Sequence, residues 1–151
     1  MKEIKLDAKD YRILEALKED ARKTVANLSN ELSIPRATVH ERIMRLRKLN
    51  VIKKFTIEED YKKTGFPTLS FVLAAYDPQG KVDQYAVAAS ISRIPGVYGV
   101  YIISGEWDLL IKVRGQSIED IGNLIVNKIR RTPGVFKTYT MACFDVAKDE
   151  L

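Results

Sequence analysis

The chain has 151 residues, 46% of them hydrophobic and 30% charged. That is enough for one medium domain or two small ones. The charge is too high and the apolar runs are too short for a membrane protein, because no stretch approaches the roughly 18 consecutive apolar residues a span requires. The N-terminus, MKEIKLDAKD, is charged and unlike a secretion signal, so a cytoplasmic protein is expected. One cysteine, Cys143, excludes a disulfide framework and a cysteine-rich zinc site, and one histidine, His40, makes the usual metal and general-base constellations hard to assemble. Nothing in the sequence calls for a cofactor. The net charge of +5 is unevenly placed: residues 1–54 carry 14 Lys/Arg against 8 Asp/Glu, and residues 55–151 carry 11 against 12. A basic excess confined to one segment favours a polyanionic partner for that segment.

The first third reads as three helices. Asp7 can cap the first, with Asp10 three positions on and Ile13, Leu14 and Leu17 forming an apolar stripe. Thr24 can cap a second that carries Val25, Leu28 and Leu32. Ser33-Ile34-Pro35 then breaks the pattern, with Pro set at the entry to a third helix over 36–49. Val39, Ile43 and Leu46 give that helix one buried face, and Asn50 suits the left-handed residue that stops it. Two helices joined by about four residues behind a supporting helix fit a helix-turn-helix. Val51-Ile52 is expected as a short strand, followed by a polar hinge that ends at Gly65-Phe66-Pro67.

Beyond the hinge, strand-like and helix-like runs alternate over 68–76, 81–93, 97–103, 107–114, 117–131 and 135–146. Their order is βαββαβ, the ferredoxin-like arrangement. The fold class is therefore α+β, with domains at 1–52 and 68–151 and a hinge strand and linker at 53–67. The segment Arg93-Ile94-Pro95-Gly96-Val97-Tyr98 returns as Arg131-Thr132-Pro133-Gly134-Val135-Phe136. Each copy closes a helix and opens a strand, as two βαβ halves would require. In such a domain the helices cover one face of the sheet, and a wet face should show polar residues at alternate positions. Instead Leu69, Phe71, Leu73 and Ala75 lie on one side, and Val72, Ala74 and Tyr76 on the other. The second face predicts an apolar patch that a two-fold partner would cover.

On the third helix the outward arc is expected to carry Ala37, Thr38, Glu41, Arg45 and Lys48, with His40 and Arg42 on its flanks and Arg36 in the first turn. Thr38 is placed for base edges, His40 for base edges or as a solvated surface histidine, Arg45 and Lys48 for phosphates, and Arg36 for either. Glu41 can accept from a cytosine amino group or simply stabilise the helix. Arg42, beside the buried stripe, can equally bridge to an acid on the first helix. From Arg36 to Lys54 there are seven basic residues and one acid, more than solvation of a helix needs.

Taken together, these residues resemble the Lrp/AsnC family. The match runs through Leu6-Asp7, Asp10, Ile13-Leu14 and Asp20-Ala21-Arg22. It continues through Ile34-Pro35-x-x-Thr38-Val39-x-x-Arg42-Ile43-x-x-Leu46 and Val51-Ile52. In the second domain it takes in Pro95-Gly96-Val97, Gly105-x-x-Asp108, Pro133-Gly134-Val135 and Thr138-x-Thr140. The resemblance implies a transcription regulator that binds double-stranded DNA as a homodimer, or as an octamer or other higher oligomer, under control of an amino-acid-like effector. It places that effector at Gly105, Glu106, Trp107 and Asp108, with Thr138 and Thr140 nearby. A glycine lets backbone amides approach a carboxylate, and an aspartate can pair with an amino group. Leu28-Ser29, Asn50, Glu106 and Trp107 depart from the family's usual residues. Two other readings are an architectural DNA-packaging protein and an amino-acid-sensing subunit that docks protein instead of DNA. An enzyme is disfavoured, because no motif pairs Cys143 or His40 with a partner.

Overall fold

The computed structural model describes residues 4–77, 79, 80 and 82–149. The chain divides into two compact units that meet between Glu58 and Glu59. The first contains α1 (Ala8–Glu19), α2 (Val25–Leu32) and α3 (Arg36–Lys48). Asp7 caps α1 by accepting from the N–H groups of Lys9 and Asp10, and the Asp10 carboxylate returns the favour to the Asp7 N–H at 3.1 Å. This reciprocal box satisfies donors that a helix start otherwise leaves bare. Thr24 caps α2 by accepting from Asn27 N–H. Ser33, at φ 54°, ends α2 in a left-handed turn, and α3 begins three residues later. Ile13, Leu17, Leu28, Leu32, Ile34, Val39 and Leu46 are buried together as the core. The Arg12 guanidinium donates to Leu32 O at 2.8 Å, which ties α1 to the end of α2.

Val51 and Ile52 correct the sequence reading, because they form no strand. Asn50 takes the left-handed conformation (φ 55°), and the N–H groups of Val51 and Ile52 both donate to Leu46 O, at 2.9 and 3.2 Å. They finish α3 and pack on the helical core. The last carbonyls of a helix need donors, and a strand would need a neighbour that the described residues of this unit do not supply.

The second unit contains β1 (Thr68–Tyr76), α4 (Gln84–Ile91), β2 (Val97–Ile102), β3 (Leu109–Gly115), α5 (Ile118–Leu124) and β4 (Val135–Ala142). The expected helix run over 81–93 starts at Lys81, which lies outside the described residues, as do 1–3, 78, 150 and 151. The strands form one antiparallel sheet in the order β2-β3-β1-β4. Val72 and Ala74 of β1 and Leu109, Ile111 and Val113 of β3 are buried with Val87, Ile91, Ile121, Ile125 and Ile129 of the helical layer. Both Pro-Gly breaks of the internal repeat put glycine where φ is positive, 94° at Gly96 and 91° at Gly134. A Cβ on Gly134 would also lie 2.6 Å from Val87 Cγ2, so the second break holds a close approach to α4.

The helix expected over 117–131 is interrupted. Beyond α5 the backbone widens into a π-helical turn, Ile125–Ile129, marked by Arg130 N–H donating to Ile125 O at 2.8 Å. In an ideal α-helix, residues eight apart drift by about 80° around the axis. The wide turn removes much of that drift, so Ile121, Ile125 and Ile129 all stay buried on one side. The apolar spacing is visible in the sequence; the extra-wide turn is what the packing demands of it.

Candidate nucleic-acid interface and ligand-binding end

Val39 and Leu46 are buried and Ile43 packs partly into the helical core, which fixes the rotation of α3. Arg36, Ala37, His40, Glu41, Met44, Arg45, Arg47 and Lys48 are exposed, and Thr38 is half-buried. Met44, 50% exposed, stands near the middle of the outward arc, between Ala37, Glu41 and Lys48. The sequence reading did not include it among the outward residues. Its angle from Val39 and Leu46 was the available signal.

Two of the basic residues have another engagement. The Arg42 guanidinium donates to Asp7 at 2.6 Å and to Asp10 at 2.8 Å. Arg45 donates to Asp10 at 3.1 Å and to Lys5 O at 3.0 Å. Asp10 is completely buried, so α3 is clamped onto the start of α1 through a carboxylate with no access to water. Arg42 takes the bridging role that its place beside the stripe allowed. Arg45, expected at phosphates, has both terminal nitrogens turned back to its own domain. The hydrogen bond from Arg42, helped by the Asp10 N–H, holds the Asp7 carboxyl below its ordinary value of 3.8. A carboxyl depressed on folding stabilises fully above its unfolded pKa and loses that contribution as pH falls through the folded one. Acid unfolding of the first unit, followed by circular dichroism, should therefore be delayed to lower pH by the Arg42–Asp7 contact. In Arg42→Ala the onset should move upward; an unmoved onset would remove Arg42 as the cause.

In the second unit the six expected ligand residues gather near one end of the sheet but on two faces. Gly105 (φ 119°) and Glu106 are exposed in the turn between β2 and β3. Trp107 lies over the face opposite the helices, its ring 6.2 Å from Tyr139 and 4.6 Å from the Lys137 ammonium. The Asp108 carboxylate accepts the Tyr76 N–H at 2.8 Å, while its own N–H donates to Ala74 O at 3.1 Å. Asp108 thus fastens the end of β1 to the turn. Thr138 pairs across β4 with Ala74, and its hydroxyl accepts from Arg130 Nε at 2.8 Å on the helix side. Thr140 pairs one step further along, with Val72. Lys137 and Tyr139, absent from the sequence reading, share the Trp107 face because alternate residues of a strand change sides.

A three-helix unit with an exposed, basic second helix-turn-helix helix, joined to a one-sided ferredoxin-like sheet, is the architecture of a DNA-binding module with a second, separately folded domain. The winged helix-turn-helix DNA-binding family matches residues 6–53, and the Lrp/AsnC ligand binding domain matches residues 69–151. An HTH-type transcriptional regulator of Pyrococcus abyssi is 49% identical over 146 residues, 97% of each chain. The structure of Bacillus subtilis LrpC aligns with a TM-score of 0.84 at 28% identity, covering 97% of this chain and all of that one. The feast or famine regulatory protein of M. tuberculosis, solved with L-methionine, shares the fold at a TM-score of 0.88 and 22% identity, covering 97% of each chain. The chain belongs to the Lrp/AsnC family and is a transcriptional regulator of that type.

Proposed function

We propose that α3 enters the major groove of double-stranded DNA and reads it with Arg36, Thr38, His40, Glu41 and Met44, while Lys48 meets phosphate. The observation that carries this reading is the division of labour on α3. Arg42 and Arg45 turn back to anchor the helix on Asp10, and the opposite arc is left exposed, with basic residues at both ends. Met44 gives the arc an apolar contact suited to a thymine methyl group. Arg42 and Arg45 are positioning residues here: they hold the helix at the angle from which the others reach.

Two copies associate through the sheet faces that the helices leave open. On that face Phe71, Leu73, Ala75 and Leu110 are only half-buried, and Tyr101, Tyr139 and Met141 are exposed. A two-fold dimer would place paired recognition helices about 34 Å apart, or a multiple of it, on a pseudo-palindromic site. Higher oligomers, octamers among them, would build on that dimer. An amino-acid-like effector binds at the sheet end formed by residues 103–108. Gly105 offers backbone amides to a carboxylate, and Trp107 with Lys137 and Tyr139 forms a side wall. Thr138 and Thr140 edge the same end from the helix side. The M. tuberculosis neighbour solved with L-methionine makes methionine the first effector to try. An effector acts only by binding one assembly state better than another.

The test is fluorescence anisotropy with the protein's own promoter fragment and with random DNA of equal length, across a salt series, with and without methionine. Tight binding that prefers the promoter is expected. Lys48→Ala should weaken binding to every sequence and reduce the slope of log K against log salt by about one phosphate contact. An unchanged slope would take Lys48 off the DNA. Equal affinity for both DNAs would favour architectural packaging, and no binding to either would favour a protein-docking subunit.

A further inference from the structure

Beyond β4 the chain runs back toward the middle of the sheet. Cys143 N–H still donates to Leu69 O at 3.0 Å, continuing the β1–β4 ladder. Six residues later the Asp149 carboxylate bonds the Lys112 ammonium and lies 3.6 Å from the Arg114 guanidinium. Both cations belong to β3, on the face opposite the helices, because Ile111 and Val113 between and beside them are in the core. Since β1 separates β4 from β3, residues 143–149 must pass β1 to make this contact. Leu69 of β1 points to the same open side yet is only 5% exposed, while Phe71 and Leu73 beyond it stay half-buried. This end of the open face is therefore closed within the chain. Tyr61 closes it from another direction, its ring centre 3.9 Å from the Arg114 guanidinium. Arg114 is itself 92% buried by side chain, and its Nε has no hydrogen-bond partner among the described residues. Two nearly buried cations thus share one carboxylate. Along the same tail Phe144 is fully exposed and Val146 is exposed beside it.

We infer that residues 143–149 form a strap, clasped by Asp149 between Lys112 and Arg114, that presents Phe144 to a second copy of this chain and forms part of the sheet-to-sheet interface. The clasp serves two purposes. It neutralises cations that would otherwise face a partner's identical pair, and it fixes the path of a segment whose apolar side chain packs on none of the described residues of its own protomer. Holding Phe144 in place beforehand lowers the ordering cost of association. The strap is continuous with the apolar patch of Phe71, Leu73 and Met141, so one partner can cover both. This inference rests on the open-face dimer proposed above.

The test compares wild type, Asp149→Asn and Phe144→Ala by sedimentation equilibrium, with hydrogen exchange of residues 69–72 and 143–149 on the same samples. Each partly exposed clasp is worth only a few-fold, and two-fold symmetry counts it twice, so Asp149→Asn should raise the dimer dissociation constant about tenfold. Phe144→Ala should raise it as well, and in samples diluted until every protein is monomeric, exchange of the strap should quicken in Asp149→Asn alone. A dissociation constant in Asp149→Asn equal to or below that of wild type would overturn the strap as an interface element, and unchanged exchange would overturn the clasp. A wild type that stays monomeric would overturn the open-face dimer and the strap's role in it, while the exchange data would still report on the clasp.

Discussion

Asp10→Ala should lower the stability of the first unit by about 3–5 kcal/mol, the largest single loss expected in the helix-turn-helix. The carboxylate has no water to fall back on, since Asp10 is 0% exposed, and it accepts from Arg42, Arg45 and the Asp7 N–H. Removing it leaves the Arg42 guanidinium, 21% exposed, with only the solvent-facing Asp7 as partner. The reciprocal half of the capping box goes with it, while Asp7 keeps its own caps on the Lys9 and Asp10 N–H groups. Most of the loss comes from guanidinium and amide donors left short of an acceptor, with Arg42 keeping only its contact to Asp7. For that reason the double variant Asp10→Ala/Arg42→Ala should cost clearly less than the sum of the two single changes. The Arg45 contact, half in water, contributes little. For a unit of this size the loss corresponds to a fall in melting temperature of more than about 10 °C, readable by calorimetry. A shift under about 1 kcal/mol would show that α3 is held by its apolar face alone.

Leu73→Asp should turn the proposed sheet-to-sheet dimer into monomers without unfolding the second unit. Leu73 sits mid-strand in β1, opposite Leu110 on one side and Tyr139 on the other, facing away from the helices. It lies outside the buried core cluster, so a carboxylate there stays in water while the chain is alone. In a sheet-to-sheet contact each such carboxylate would be taken out of water at the interface. At about 2 kcal/mol or more per copy, the dissociation constant should rise on the order of a thousandfold. Sedimentation velocity reads the change, and an unaltered circular dichroism spectrum separates it from unfolding. Affinity for a two-half-site operator should fall in parallel, because one recognition helix alone must then carry binding. A Leu73→Asp protein that remains dimeric would place the interface elsewhere on the molecule.

The local elements were legible because short-range rules govern them. Asp7 and Asp10 form the box their spacing announced, Thr24 caps α2, Asn50 is left-handed, and β1 spans Thr68–Tyr76 as its apolar run suggested. The βαββαβ order and the repeated Pro-Gly breaks follow from the same local signals. The one-sided sheet was legible too, since strands apolar on both faces need two covers and two helices supply one. Individual site residues were harder. A sequence shows that Arg45 and Lys48 are basic but not which of them turns inward, and the difference depends on Asp10, 35 residues away. Met44 was missed, although its angle points to solvent.

What the sequence by itself determined is therefore the class of molecule: the helix-turn-helix, the ferredoxin-like sheet, the basic bias of the first unit and the family to which the chain belongs. The first three rest on periodicity, capping and charge, all properties of neighbours along the chain, and the family rests on the motifs by which both domains resemble it. Only the tertiary structure decided which groups are already engaged. It paired Arg42 and Arg45 with buried Asp10, gave the Asp108 carboxylate to the Tyr76 N–H, widened the helix after Leu124, and brought Asp149 back to Lys112 and Arg114. Each of these is a contact between distant positions, or a backbone adjustment forced by one. A charged side chain buried by folding must find its counter-ion wherever the fold puts it.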